Sequence, residues 1–172
     1  MLSPDQKGAI AESSIAAAAI KLGIGVSKPL SDGHRYDLIF DVGGKLYRVQ
    51  CKWAMRRDDV VLVNCRSARR GPDGFIHRAY SRDEVDLLAA YCAELDQSYV
   101  LPAHIFDGRH AVQLRLAPAA NNQQTRINWA GRYELERLDF DAFGAIAQLG
   151  ERRAGSAKVA GSSPAGSIAK PA

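Results

Sequence analysis

The order of elements along this chain predicts an α/β fold, one mixed β-sheet flanked by helices. An alanine-rich amphipathic segment opens the chain, and a series of short β-type runs follows it. Two of those runs meet at Gly43-Gly44, a strong hairpin signal. A second helix-like stretch and further strands come after them. At 172 residues the chain is long enough for one domain with a real core.

Taken in order, residues 5–22 read as a helix. Ile10, Ile15, Ala18, Ala19 and Leu22 can share one apolar stripe, and Gly23 and Gly25 end it. The Ala16–Ala19 run favours close packing on a sheet. Residues 26–35, with Ser31-Asp32-Gly33-His34, read as a loop. Strands are expected at 36–41, 46–53 and 59–66, the first two forming the hairpin. The stretch from Arg66 to Arg82, with Gly71-Pro72-Asp73-Gly74, reads as a basic loop. Ser81-Arg82-Asp83-Glu84 looks like a capping box opening a helix over 82–95, with Val85, Leu88, Tyr91, Cys92 and Leu95 inward. Strands at 98–102 and 110–116 complete the sheet, and 117–133 is loop-like, with Asn121-Asn122-Gln123-Gln124 at its centre.

Composition narrows the class. Hydrophobic residues at 47% and charged residues at 24% are ordinary for a globular protein. No apolar run reaches membrane-spanning length, so no membrane partner is expected. Asp5 and Glu12 break the N-terminal apolar pattern, which argues against a signal peptide and for a cytoplasmic protein. Cys51, Cys65 and Cys92 lack metal-ligand spacing and read as reduced, buried thiols. His34, His77, His104 and His110 are scattered and receive no role in catalysis.

The net charge of +4 is unevenly spread. Lys52 to Arg82 carries +5, Gly150 to the end +3, and the remainder −4. Arginine supplies most of the central charge, and its planar fork suits phosphate. Arg56, Arg57, Arg66, Arg69, Arg70 and Arg78 are therefore the candidate DNA contacts.

Residues 144–172 read as having a different origin from the domain expected at 1–143. From Gly150 onward there is no aromatic residue, and Gly, Ser, Ala and Pro dominate. Such a composition buries too little apolar area to offset chain entropy. Ala147–Arg152 can be encoded as a tRNA D-arm, and Gly161–Ala165 as a T-arm. Gly144 to Ser167 spans 24 codons, the length of one tRNA body. The tail thus reads as translation through a tRNA gene, with the folded protein ending near Phe143.

The chemistry concentrates in Glu12, Asp37, Gln50, Cys51 and Lys52. Residues i and i+2 on a strand face one side, so Gln50 and Lys52 project together while Val49, Cys51 and Trp53 face the core. Phosphodiester hydrolysis needs an attacking water and charge neutralisation at phosphate. A hard cation such as Mg²⁺, with Mn²⁺ as the alternative, prefers oxygen ligands. Asp37 offers a carboxylate, Gln50 a side-chain carbonyl and Cys51 its backbone carbonyl. Glu12 would complete the shell directly or through water. Lys52 is placed to orient or deprotonate the water.

This pattern resembles the PD-(D/E)xK nuclease superfamily, and most closely its group I intron homing endonucleases with a Q-x-K motif. Gln50-Cys51-Lys52 matches that motif, Lys7-Gly8 and Glu12 the first helix, and Arg35-Tyr36-Asp37-Leu38 the first acidic strand. Glu84-Val85-Asp86 with Tyr91, then Tyr99-Val100-Leu101-Pro102, match the later core. The resemblance spans roughly residues 5–133. It implies a restriction-endonuclease-like core and site-specific cleavage of double-stranded DNA by a homodimer or a homotetramer. The alternatives are a junction-resolving or repair nuclease of the same fold, and a catalytically silent DNA-binding module. Gln50, standing where the wider superfamily has an acid, keeps the last one open.

Overall fold

In the computed structural model, residues 1–118 and 125–138 are described, Arg69 by its backbone alone. The domain boundary expected near Phe143, the tail at 144–172 and Asn121–Gln124 lie outside the described residues.

The first helix, α1 (Pro4–Lys21), is set by its own sequence. Ser3 caps it in a reciprocal box: the Gln6 N–H donates to Ser3 Oγ at 3.2 Å, and the Ser3 N–H donates to Gln6 Oε1 at 2.9 Å. Gly23, at φ +78°, turns the chain out of it. The buried residues are Ala11, Ile15 and Ala19: Ile15 and Ala19 belong to the expected stripe, Ile10 and Ala18 are partly buried, and Leu22 is exposed. Small residues at the contact let α1 lie close on the sheet. The burial of Ile15 alone is worth about 2–3 kcal/mol.

The strands are β1 (Gly25–Ser27), β2 (Leu38–Val42), β3 (Lys45–Arg57), β4 (Val60–Asn64), β5 (Arg66–Gly71), β6 (Gly74–Ala79), β7 (Leu87–Cys92), β8 (Gln97–Pro102) and β9 (Ala111–Arg115). Seven of them form one sheet, and β5 with β6 forms a separate two-stranded ribbon. The short helix α2 (Ala103–Phe106) follows β8. The α/β expectation holds: a mixed sheet with a flanking helix.

β3 organises the sheet. Its first half pairs with β2 through a turn in which Gly43 and Gly44 take φ of +59° and +83°, values suited to a tight hairpin. Its middle pairs in parallel with β7, and its end pairs with β4. Val49 and Cys51 face the cluster built on Ile15 and Ala19 of α1, with Leu87 and Ala89 beside them. Gln50 and Lys52 face the other way, beside their β7 partners Leu88 and Ala90. Leu88 and Ala90 belong to a second core that includes Val61, Tyr80, Tyr99 and Leu114.

Two expectations are corrected. The helix foreseen over 82–95 is strand β7. A single turn does form after Ser81, whose carbonyl accepts from the Glu84 and Val85 N–H groups at 3.1 Å. The chain then leaves it because Arg48 on β3 grips Asp86. Arg48 Nε and Nη2 donate to the two Asp86 oxygens at 3.0 and 2.9 Å, and the Asp86 N–H donates to the Arg48 carbonyl at 3.0 Å. Leu87–Cys92 is buried on both faces, and a buried parallel strand shows no alternation to tell it from a buried helix. The basic loop is likewise a β-ribbon, β5–β6, closed by Gly71-Pro72-Asp73-Gly74. Arginine spread along both strands hides the alternation a sequence reading depends on.

Candidate active site

Asp37, Gln50 and Cys51 converge where β2 meets the middle of β3. The Asp37 N–H donates to the Val49 carbonyl at 2.9 Å, which fixes the residue just before β2 begins. Its side chain turns inward: Asp37 Oδ2 accepts from the Cys51 N–H at 2.8 Å and from Gln50 Nε2. The Gln50 amide also donates to the Cys51 carbonyl at 3.1 Å. Gln50 is 7% exposed, so this amide sits in the interior with its partners chosen for it. One donor group therefore occupies the space between a carboxylate oxygen and a backbone carbonyl oxygen.

The electrostatics follow from burial. Burial pushes the Asp37 carboxyl above its ordinary range; the Cys51 N–H and the Lys52 ammonium pull it back, and the charge of Glu12 adds to the rise. Burial pushes the Lys52 ammonium below its ordinary value, Asp37 opposes this, and Arg35 reinforces it. Lys52 and Asp37 thus act on one another.

Glu12 and Lys52 are otherwise engaged. Glu12 on α1 forms an ion pair with Lys28, across the loop that precedes β2. Its field reaches Asp37 and Cys51, without a direct bond to either. Lys52 Nζ donates to the Tyr80 hydroxyl at 2.9 Å. Among the described residues, no cluster of three or more His, Cys, Asp or Glu side chains is placed to hold a metal ion. The oxygens within reach of the Asp37 carboxylate are the Cys51 carbonyl and, after a turn of its amide, the Gln50 side-chain carbonyl, a hard-oxygen set that would fit Mg²⁺ or Mn²⁺.

The arginines divide into two groups. Arg56 and Arg57 are exposed at the end of β3, and Arg56 Nε donates to the Asp58 carbonyl at 3.0 Å. Arg66, Arg69, Arg70 and Arg78 belong to the ribbon. Arg66 and Arg70 lie on the ribbon face that also carries Phe75 and His77, because opposed residues of an antiparallel pair share a face. Arg78 pairs with Glu84, which also faces Arg35 Nε at 3.3 Å. Arg35 ties the foot of the ribbon to the site, donating to Ser67 Oγ at 2.8 Å and to the Ala79 carbonyl at 3.2 Å. In the sequence Arg35 stands out only as part of a matching strand, and Lys28 and Tyr80 carry no signal. Their partners are 16 and 28 residues away, so no local spacing could have marked them.

The Gln50–Asp37 contact makes a stability prediction. Gln50→Glu would set two buried carboxylates against each other and remove a donor. In EDTA the variant is expected to lose on the order of 1–2 kcal/mol, a fall of several degrees in Tm by calorimetry. An unchanged Tm in EDTA would contradict the contact.

A family model described as PD-(D/E)XK endonuclease matches residues 2–136. Among solved structures, a bacterial homing endonuclease, I-Ssp6803I, is similar to this chain with a TM-score of 0.63 and 28% sequence identity, covering 90% of this chain and 100% of that one. No curated protein sequence matches.

Proposed function

The chain belongs to the PD-(D/E)XK endonuclease family, and on that premise we propose that it cuts double-stranded DNA at specific sites, as a homing-type, metal-dependent enzyme with Asp37, Gln50, Cys51 and Lys52 at its centre. The observation that carries this reading is the position of the Gln50 amide, a donor lodged between Asp37 Oδ2 and the Cys51 carbonyl. An electropositive group is already favoured there. A half-turn of that amide would present Oε1 to a cation in the same seat.

Asp37, Gln50 through Oε1 and the Cys51 carbonyl would hold Mg²⁺ or Mn²⁺, with Glu12 joining directly or through water after release from Lys28. A cation in this seat supplies Lewis-acid polarisation of the scissile phosphate. The residues do the rest. Lys52 orients the attacking water and takes its proton at Nζ, a role its lowered proton affinity favours. Asp37 and Cys51 keep the seat rigid through the N–H···Oδ2 bond. One such site cuts one strand, so double-strand cleavage is assigned to a homodimer or homotetramer.

The ribbon is the proposed DNA reader. A two-stranded β-ribbon fits the major groove, where arginine forks read guanine edges and also hold phosphates. Arg66→Ala and Arg70→Ala are each expected to weaken binding and to lower the salt slope of log K by about one. Fluorescence anisotropy with Ca²⁺ in place of Mg²⁺ measures this without cleavage; unchanged slopes in both variants would remove the ribbon from the interface.

Purified protein incubated with a plasmid library and Mg²⁺ tests the homing reading. A few discrete linear products are expected. A preference for branched over linear duplex would instead identify a junction-resolving enzyme, and binding with no cuts a silent module.

A further inference from the structure

We propose that Tyr80 is a positioning residue that aims Lys52 at the water it activates. The inference rests on the reading of Lys52 given above and extends it to a residue outside the Gln-x-Lys strand. Tyr80 is 3% exposed, follows β6 directly, and is pinned at both backbone groups: its N–H donates to the Cys65 carbonyl at 3.0 Å, and its carbonyl accepts from the Gly108 N–H at 3.1 Å. Its hydroxyl accepts from Lys52 Nζ at 2.9 Å, with Nζ 4.8 Å from the ring centroid. The other occupant of the ring is Arg35, whose Cζ lies 4.3 Å from the centroid. Arg35 is held in turn by Ser67, Ala79 and Glu84.

A lysine stem has four rotatable carbons and a point charge at its end, so its aim must come from outside. A carboxylate partner would fix the amine but hold it protonated. A phenol accepts one N–H and adds no charge, so the amine is aimed while its lone pair can take the water's proton. Tyr80 also forms the foot of the ribbon, so the segment that holds Lys52 is continuous with the segment proposed to read DNA. Seating of the ribbon and aim of the lysine are thereby linked through one residue.

Tyr80→Phe removes the hydroxyl and keeps the ring. On a plasmid that the parent cuts, its single-turnover rate in Mg²⁺ is expected to fall roughly 10- to 100-fold, with affinity in Ca²⁺ within about twofold of parental. Acetic anhydride labelling read by mass spectrometry should rise several-fold at Lys52 and stay constant at Lys45, a change that a merely structural role would not produce. A parental rate, or a slowed rate with Lys52 labelling unchanged, would overturn the proposal. Lys52→Ala run alongside separates the two claims: if it cuts normally, the reading of Lys52 fails; if it is dead while Tyr80→Phe is normal, only the role of Tyr80 fails. Should Tyr80→Phe not fold, Tyr80→His carries the test, since it keeps a ring acceptor. It must then protect Lys52 from labelling and cut within about tenfold of parental; parental cutting with Lys52 freely labelled would overturn the proposal.

Discussion

Lys52→Ala is expected to lower DNA cleavage at least about a thousandfold, within the range that positioned proton transfer supplies. The reason lies in where the amine sits. It shares a strand face with Gln50, is half-buried, and has its proton affinity lowered by burial and, against the pull of Asp37, by Arg35. DNA affinity should stay near parental, because the proposed contacts are on the exposed ribbon and at the end of β3. Folding should also survive, since the loss removes one hydrogen bond to a phenol oxygen and a charge beside Asp37 from a half-buried position. Single-turnover cleavage in Mg²⁺ together with anisotropy in Ca²⁺ measures both halves. A variant that cuts at the parental rate would refute the assignment.

Asp37→Asn is expected to be as severe for cleavage, with an opposite signature in stability. The side chain keeps its size, and its amide oxygen can still accept from the Cys51 N–H. It loses a charge that burial makes costly, so Tm in EDTA should equal or exceed the parental value. Mg²⁺ reverses the order. A cation at about 100 times its Kd would stabilise the parent by about 2.7 kcal/mol, and the variant by far less. Calorimetry with and without Mg²⁺ reads this directly; equal gains in both proteins would show that Asp37 is not a ligand.

Much of the site was legible because it is local. Asp37, the Gly43-Gly44 turn and Gln50-Cys51-Lys52 lie within sixteen residues, and period-2 geometry puts Gln50 and Lys52 on one face before any tertiary contact is considered. α1 was legible for the same reason, although its buried stripe is centred on Ala11, Ile15 and Ala19. What escaped is what tertiary contact decides. β7 carries a helix-start signal that is real for one turn and is then overruled by the Arg48–Asp86 pair. The ribbon lacks a clear alternation, so it reads as a loop. Tyr80 is an unremarkable aromatic in the sequence, and only the fold brings it to Lys52. The arginines counted as one basic segment lie on two elements, Arg56 and Arg57 at the end of β3 and the others on the ribbon.

In the proposed mechanism a cation held by Asp37, Gln50 and Cys51 drives phosphodiester cleavage. A plasmid cut by the purified protein tests it most directly, assayed in Mg²⁺, then in excess EDTA, then with Mg²⁺ restored. Cleavage is expected to appear, stop and return, with DNA bound throughout. Cutting that continues in EDTA, or bound DNA that is never cut in Mg²⁺ or Mn²⁺, would contradict it.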